Sequence, residues 1–122
     1  MNEADNHMKN NYYINFLNFV KALEPSVETD QLDVTSKLIL DEIAIGVAKE
    51  KPMTVSEVMG LKGLGSPATL HRKLTILLDA KLVQAVFLGN NRRTKYMALT
   101  IEGEMYFNRL SQAMQSVQIS NG

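Results

Sequence analysis

The sequence predicts a mainly α-helical fold with one small β-hairpin, an α+β class. Apolar residues recur at helical spacing in several segments, and a helix, glycine turn and helix lie mid-chain. Two strand-like runs then flank the turn that begins Gly89-Asn90-Asn91. Because 122 residues support one core, we expect a mobile tail over residues 1–9 and a single domain over 10–122.

The composition is that of an ordinary soluble globular protein, 45% hydrophobic and 21% charged. There is no cysteine, which excludes disulfides, cysteine-ligated zinc and thiol catalysis. The polar, mildly acidic N-terminus does not resemble a signal peptide, and no apolar run has the length of a membrane span. We therefore expect a cytoplasmic protein without a membrane partner.

The first predicted helix covers residues 10–24 and ends at Pro25. Asn15, Asn18 and Lys21 form a polar stripe, and most other positions are apolar, so the helix needs more than one packing partner. A second copy of the chain would supply one; the alternative is a helix deep within its own core. The predicted dimer contacts on this helix are Tyr13, Ile14, Phe16, Leu17 and Val20.

A second helix is predicted from about Thr35 to Glu50, where Ile39, Ile43 and Val47 are spaced i, i+4 and i+8. Gly46 inside it costs helix propensity and indicates close backbone packing.

A helix-turn-helix is predicted over residues 54–80. Thr54 and Glu57 form a capping box, which opens a short first helix, and two glycines then allow a tight turn. Ser66 caps the second helix, with proline at its favoured first position. The buried stripe of this second helix is Leu70, Leu74 and Leu77.

A hairpin over residues 83–99 and a last helix over 100–117 complete the chain. The strand-like runs are 83–88 and 94–99, and Thr100 caps the helix. The last helix has an apolar face that includes Tyr106, Leu110 and Met114.

This order of elements is that of a winged helix-turn-helix. Residues 54–110 also resemble the multiple-antibiotic-resistance regulator (MarR) family of bacterial transcription factors. The resemblance is carried by Thr54-Val55-Ser56-Glu57, Ser66-Pro67-Ala68-Thr69-Leu70-His71-Arg72, Leu77 with Asp79-Ala80-Lys81-Leu82-Val83, the hairpin arginines and Leu99-Thr100-Ile101-Glu102-Gly103-Glu104. It implies a homodimeric binder of duplex DNA, usually a repressor, with N- and C-terminal dimerisation helices. In this chain the dimer contacts on the last helix would be Tyr106, Leu110 and Met114.

The sequence departs from that family at the hairpin tip. Many members carry an aspartate there near an arginine, whereas this chain has Asn90-Asn91-Arg92-Arg93. The segment before residue 54 is also short for the family.

The charge distribution agrees with a polyanion partner although the net charge is zero. Residues 1–53 carry five Lys and nine Asp or Glu, a net −4, whereas 54–99 carry seven Lys or Arg and two acids, a net +5. We expect Arg72 to contact a guanine edge and the hairpin to contact the minor groove or its flanking phosphates. The predicted DNA-binding residues are Ser66, Pro67, Ala68, Thr69, Arg72, Lys73, Asn90, Asn91, Arg92, Arg93 and Lys95.

Each assignment has a plainer alternative. The plainer role of Ser66 and Thr69 is to cap the helix, and for Ser66 it is the preferred one. Asn90 and Asn91 are turn formers first, and the less favoured alternative for Arg72 and Lys73 is solvated surface. The family also implies a small-molecule effector, for which Tyr12, Tyr13, Phe16 and Phe19 are candidate lining residues, with core packing as the simpler role.

No catalytic, metal or cofactor motif is recognisable, so neither an enzyme nor a cofactor is expected. The alternatives are a winged-helix module that binds proteins, and DNA binding in plasmid or phage replication control.

Overall fold

The computed structural model describes residues 3–23 and 32–121 of the chain. It is mainly helical with a two-stranded antiparallel hairpin, which confirms the predicted α+β class. The elements are, in order, a 3-10 helix Glu3–Asn10, α1 Tyr12–Leu23, α2 Val34–Ala48, α3 Val55–Met59, α4 Pro67–Asp79, β1 Val83–Val86, β2 Tyr96–Leu99 and α5 Ile101–Asn121.

The N-terminal segment is helical earlier than the sequence predicts. Glu3–Asn10 forms a 3-10 helix where a mobile tail is expected. Asn11, rather than Asn10, precedes α1, and its side-chain oxygen accepts the Ile14 N–H at 3.0 Å. The predicted end of the first helix at Pro25 lies outside the described residues, which resume at residue 32.

Helix α2 begins one residue before the predicted start and ends two before the predicted end. Its cap is Asp33, whose carboxylate accepts the Ser36 N–H at 2.7 Å. A Cβ added at Gly46 would lie 3.0 Å from the Lys51 carbonyl oxygen, so the predicted close backbone approach is confirmed.

The caps of α3 and α4 form as predicted. Thr54 Oγ1 accepts the Glu57 N–H at 3.1 Å, and the Glu57 carboxylate accepts the Thr54 N–H at 2.9 Å. Ser66 Oγ accepts the Thr69 N–H at 3.2 Å. In the turn between these helices Gly63 and Gly65 have φ of +81° and +137°, values that a side chain disfavours.

The hairpin is shorter than predicted. Its register runs from Val83 opposite Leu99 to Val86 opposite Tyr96, so Phe87–Leu88 and Thr94–Lys95 lie outside the ladder. The Met97 N–H donates to the Met53 carbonyl at 2.7 Å. This bond joins the hairpin to the segment that leads into α3.

The core lies between α2, α4 and the hairpin, and α5 starts against it. Thr100 caps α5 through the Gly103 N–H at 3.0 Å and also donates to the Lys81 carbonyl at 2.6 Å. Gly103 packs so closely on the Leu82 carbonyl that a Cβ would overlap it. The buried apolar residues are Leu32, Ile39, Leu40, Ile43, Val58, Leu70, Leu74, Leu77, Leu82, Val83 and Met97.

Within the described ranges, no helix is both long and apolar enough to cross a bilayer.

Candidate nucleic-acid interface

The exposed side of α4 carries a hydrogen-bonded row of Ser66, Thr69 and Arg72. Ser66 Oγ donates to Thr69 Oγ1 at 3.1 Å, and the Arg72 guanidinium donates to the same oxygen at 3.3 Å. The predicted capping role of Ser66 is confirmed, and the structure brings all three predicted residues together. Because Thr69 holds the guanidinium at one edge, the remaining N–H groups of Arg72 face solvent as donors.

The first turn of α4 presents small side chains beside this row. Pro67 and Ala68 are both exposed, and Leu70 is fully buried beneath them. A surface of small residues lets the helix N-terminus approach a flat or concave partner closely.

Lys73 is predicted to bind DNA, but the structure pairs it with a residue of its own chain. Its ammonium forms an ion pair with Asp33, 2.7 Å from Nζ to Oδ2, and three quarters of its side chain is buried. The reason is position: residue 73 lies on the flank of α4 that faces α2, beside the buried Leu74. Lys73 therefore belongs to the packing of two helices and stands apart from the exposed row.

This ion pair also affects the Asp33 carboxyl. Partial burial on its own raises the pKa of Asp33, but the hydrogen bonds from Lys73 and from the Ser36 backbone outweigh that effect. The pKa of Asp33 is consequently lowered from its usual value, and the carboxylate stays ionised at neutral pH.

The turn between β1 and β2 is organised by Asn91 and Gly89. Asn91 Oδ1 accepts N–H groups from Arg93 at 2.9 Å and Thr94 at 3.3 Å, and Gly89 has a φ of +57°. The turn-forming role predicted for Asn91 is thus confirmed. Asn90 is exposed within the same turn.

A groove of about 500 Å³ runs between this turn and the start of α3. Phe87 lies in it, with the Arg92 guanidinium 5.7 Å and the Lys95 ammonium 5.6 Å from the centre of its ring. None of the described residues that line it is acidic. The lining residues are Thr54, Val55, Ser56, Phe87, Arg92, Arg93, Thr94 and Lys95.

Phe87 and the α3 side of this groove were not predicted from the sequence. The sequence does contain an aromatic residue, Phe87, five positions before Arg92 and just before the turn. It contacts Arg92 and Lys95 only because the hairpin bends back and brings both side chains to the ring.

Helix α1 presents its apolar side to solvent. Tyr12 is 91% exposed and Tyr13 is 67% exposed, so the alternative of a helix buried in its own core is wrong for the described chain. Tyr13 and Phe16 stack on each other at 6.5 Å between ring centres. Of the predicted dimer contacts on α1, Ile14 is half-buried and the others are exposed, namely Tyr13, Phe16, Leu17 and Val20.

The predicted dimer contacts on α5 are less exposed to solvent than those on α1. Tyr106 packs against the core and meets the Phe107 ring edge-on at 5.0 Å. Leu110 and Met114 are half-buried. Tyr106 therefore packs mainly within its own chain.

A second exposed apolar face, not predicted from the sequence, lies on α2. Val34, Leu38 and Ile45 share one side of the helix, opposite the buried Ile39 and Ile43. Asp41 lies on this side too, and its pKa is raised, first by partial desolvation and then by the nearby Glu42 carboxylate.

Metal binding finds no support in the described ranges, where no three His, Asp or Glu side chains are grouped to hold an ion. Comparison with known proteins gave no match to a family model, to a curated protein or to a solved structure.

Proposed function

We propose that this chain is a winged helix-turn-helix protein that binds duplex DNA as a homodimer and regulates transcription. The observation that carries the proposal is the row of Ser66, Thr69 and Arg72 on the exposed side of α4. Support for the fold comes from the order of α3, α4, the hairpin and α5, which is that of a helix-turn-helix followed by a wing.

In this proposal α4 enters the major groove. Pro67 has no N–H and the Thr69 N–H is bonded to Ser66, so the N-terminus of α4 attracts phosphate mainly through the positive end of the helix dipole. Arg72 reads a guanine through its fork of donors, while Ser66 and Thr69 hydroxyls bond bases or phosphates. The small Pro67 and Ala68 allow the close approach that these contacts require.

The homodimer accounts for the exposed side of α1. A helix of 12 residues is only marginally stable in water on its own. Burying its exposed aromatic residues against another surface would stabilise it. A second copy provides the same apolar side by symmetry. The α2 face of Val34, Leu38 and Ile45 is a second exposed apolar area that a partner copy would cover.

The resemblance to the MarR family adds a repressor role and a small-molecule effector to the proposal. Tyr12, Tyr13 and Phe16 are exposed, so they remain open to a ligand or to the partner copy. Two recognition helices related by the dimer axis would read half-sites about 34 Å apart.

A winged-helix module that binds proteins is the second candidate. Leu88, 43% exposed beside the turn, favours it, because an apolar residue at a wing is typical of a protein contact. The basic residues Arg92, Arg93 and Lys95 favour DNA instead, since they meet no acidic residue in their groove.

Selection from a random duplex library, followed by fluorescence anisotropy over a salt series, tests the proposal. We expect a pseudo-palindromic site and an affinity that falls steeply with salt. Absence of salt-dependent duplex binding by the wild-type chain would overturn the DNA function and leave the protein-binding module as the better candidate.

A further inference from the structure

The groove between the hairpin turn and α3 gives the wing a more specific role. We propose that it is a phosphate site in which Phe87 positions Arg92 and Lys95, so that the wing contacts the DNA backbone and not the floor of the minor groove. This inference rests on the proposed function for the source of the phosphate, and on the geometry of the groove for the site itself.

The two cations are held over one ring. Arg92 and Lys95 lie at nearly equal distances, 5.7 and 5.6 Å, from the centre of Phe87. The negative face of an aromatic ring attracts a cation without neutralising it. An ion pair would hold an arginine at the cost of its net charge, whereas the exposed Phe87 ring attracts both cations and leaves both charges available.

The lining chemistry fits a phosphodiester. Arg92, Arg93 and Lys95 supply donors, and the exposed Ser56 and half-buried Thr94 add hydroxyl groups of the kind that bond phosphate oxygens. Val55 and Phe87 provide an apolar wall against which a sugar packs. The volume of about 500 Å³ is in the range of pockets that hold molecules of nucleotide size.

The same geometry disfavours insertion into the minor groove. That groove is about 6 Å wide, and an arginine reads its floor with an extended side chain. Here the Arg92 guanidinium is turned back over Phe87 and lines the cleft towards α3. A DNA strand seated in the cleft would therefore meet the cations through its phosphates.

Phe87 is a positioning residue in this scheme, and its test compares Phe87→Leu with Phe87→Trp. Binding to a labelled 24-base-pair duplex of random sequence is measured by anisotropy over a salt series. We expect Phe87→Leu to weaken binding three- to tenfold, with a salt slope shallower by about 0.9 for each phosphate that the variant no longer neutralises. Phe87→Trp, whose larger ring holds cations better, should restore wild-type affinity.

The matched control is Leu88→Ala, which removes a neighbouring exposed apolar side chain that does not line the groove. We expect it to leave affinity and salt slope unchanged, and thermal melting should show all variants folded. Wild-type affinity and slope in a folded Phe87→Leu variant would overturn the positioning role.

Two duplexes, one wholly A·T and one wholly G·C, distinguish contact with the DNA backbone from contact with the minor groove. We expect Arg92→Ala to lower affinity by the same factor on both, within twofold. A loss seen on the A·T duplex alone would overturn the backbone contact, because phosphates are common to both duplexes whereas the narrow minor groove of A·T tracts attracts arginine.

A titration with inorganic pyrophosphate, followed by NMR of the Phe87 ring protons, tests the site without DNA. We expect shifts at Phe87 in the wild type that are absent in Arg92→Ala. Shifts with pyrophosphate in a protein that binds no duplex would uphold the phosphate site, assign it to a small phosphorylated ligand and overturn the DNA function. Neither shifts nor duplex binding would overturn both.

Discussion

Lys73 on α4 and Asp33 at the cap of α2 are 40 residues apart in the chain, and their charged atoms are 2.7 Å apart in the structure. Asp33 makes two bonds at once, since its other oxygen accepts the Ser36 N–H. The start of one core helix is thereby tied to the middle of the helix that carries the exposed row. Substitutions at Asp33 can separate the contributions of these two bonds to the free energy of unfolding.

Asp33→Ala is expected to destabilise the fold by about 1–2 kcal/mol, because it removes both the cap and the ion pair. Asp33→Asn keeps a good cap and loses only the pair with Lys73, so about 0–1 kcal/mol is expected. Urea denaturation at pH 7 gives both values. Equal losses in the two variants would contradict the expectation that the cap contributes more than the ion pair to the free energy of unfolding.

The same variants predict a pH dependence with a definite sign. The pKa of Asp33 is lowered in the folded chain, so its contribution is fully present above the ordinary value of 3.8 and is lost as pH falls below it. Asp33→Asn should therefore show a weaker loss of stability on acidification from pH 5 to pH 2. A profile identical to that of the wild type would show that Asp33 does not stabilise the fold through its charge.

A glycine substitution tests the junction between the hairpin and α5. Gly103→Ala is expected to cost about 2–4 kcal/mol, because the new Cβ overlaps the Leu82 carbonyl and the backbone must move. Gly60→Ala is the control, since its Cβ would lie at an ordinary 3.6 Å from its nearest neighbours. Thermal melting should place Gly60→Ala near the wild type and Gly103→Ala well below it.

The dimer is tested on the exposed side of α1. Phe16→Glu and Leu17→Glu each place a charge where a second copy would pack, so we expect at least a tenfold weaker self-association. Asn18→Glu, on the polar stripe of the same helix, should leave it unchanged. Sedimentation velocity at micromolar concentrations gives the result, and a monomeric wild type would contradict the proposed homodimer.

Local patterns in the sequence were sufficient for the helix caps, because a cap depends on residues three positions apart. The capping box of Thr54 and Glu57 and the cap at Ser66 are of this kind. The start of α2 was less accurate, since Asp33 and Thr35 are both acceptable caps and only tertiary packing chooses between them.

Contacts between distant residues could not be predicted in the same way. The pairing of Lys73 with Asp33 depends on the crossing of α2 and α4, which no local spacing encodes. The position of Phe87 depends on where the β1–β2 ladder ends, and the strand pattern extends beyond that point to Leu88. The groove residues were therefore predicted only in part, as a set of basic residues without their aromatic support.

The Arg72 guanidinium donates a hydrogen bond to Thr69 on the exposed row of α4. If α4 reads bases, Arg72→Ala should weaken binding to the selected duplex by about 1–3 kcal/mol and leave random-sequence binding nearly unchanged. Arg72→Lys should recover little, because a single ammonium cannot replace the two parallel bonds of a guanidinium. Lys49→Ala, at an exposed position after α2, is the matched loss of one charge. Anisotropy on both duplexes separates the cases, since an equal loss on each would make Arg72 a phosphate contact without a role in specificity.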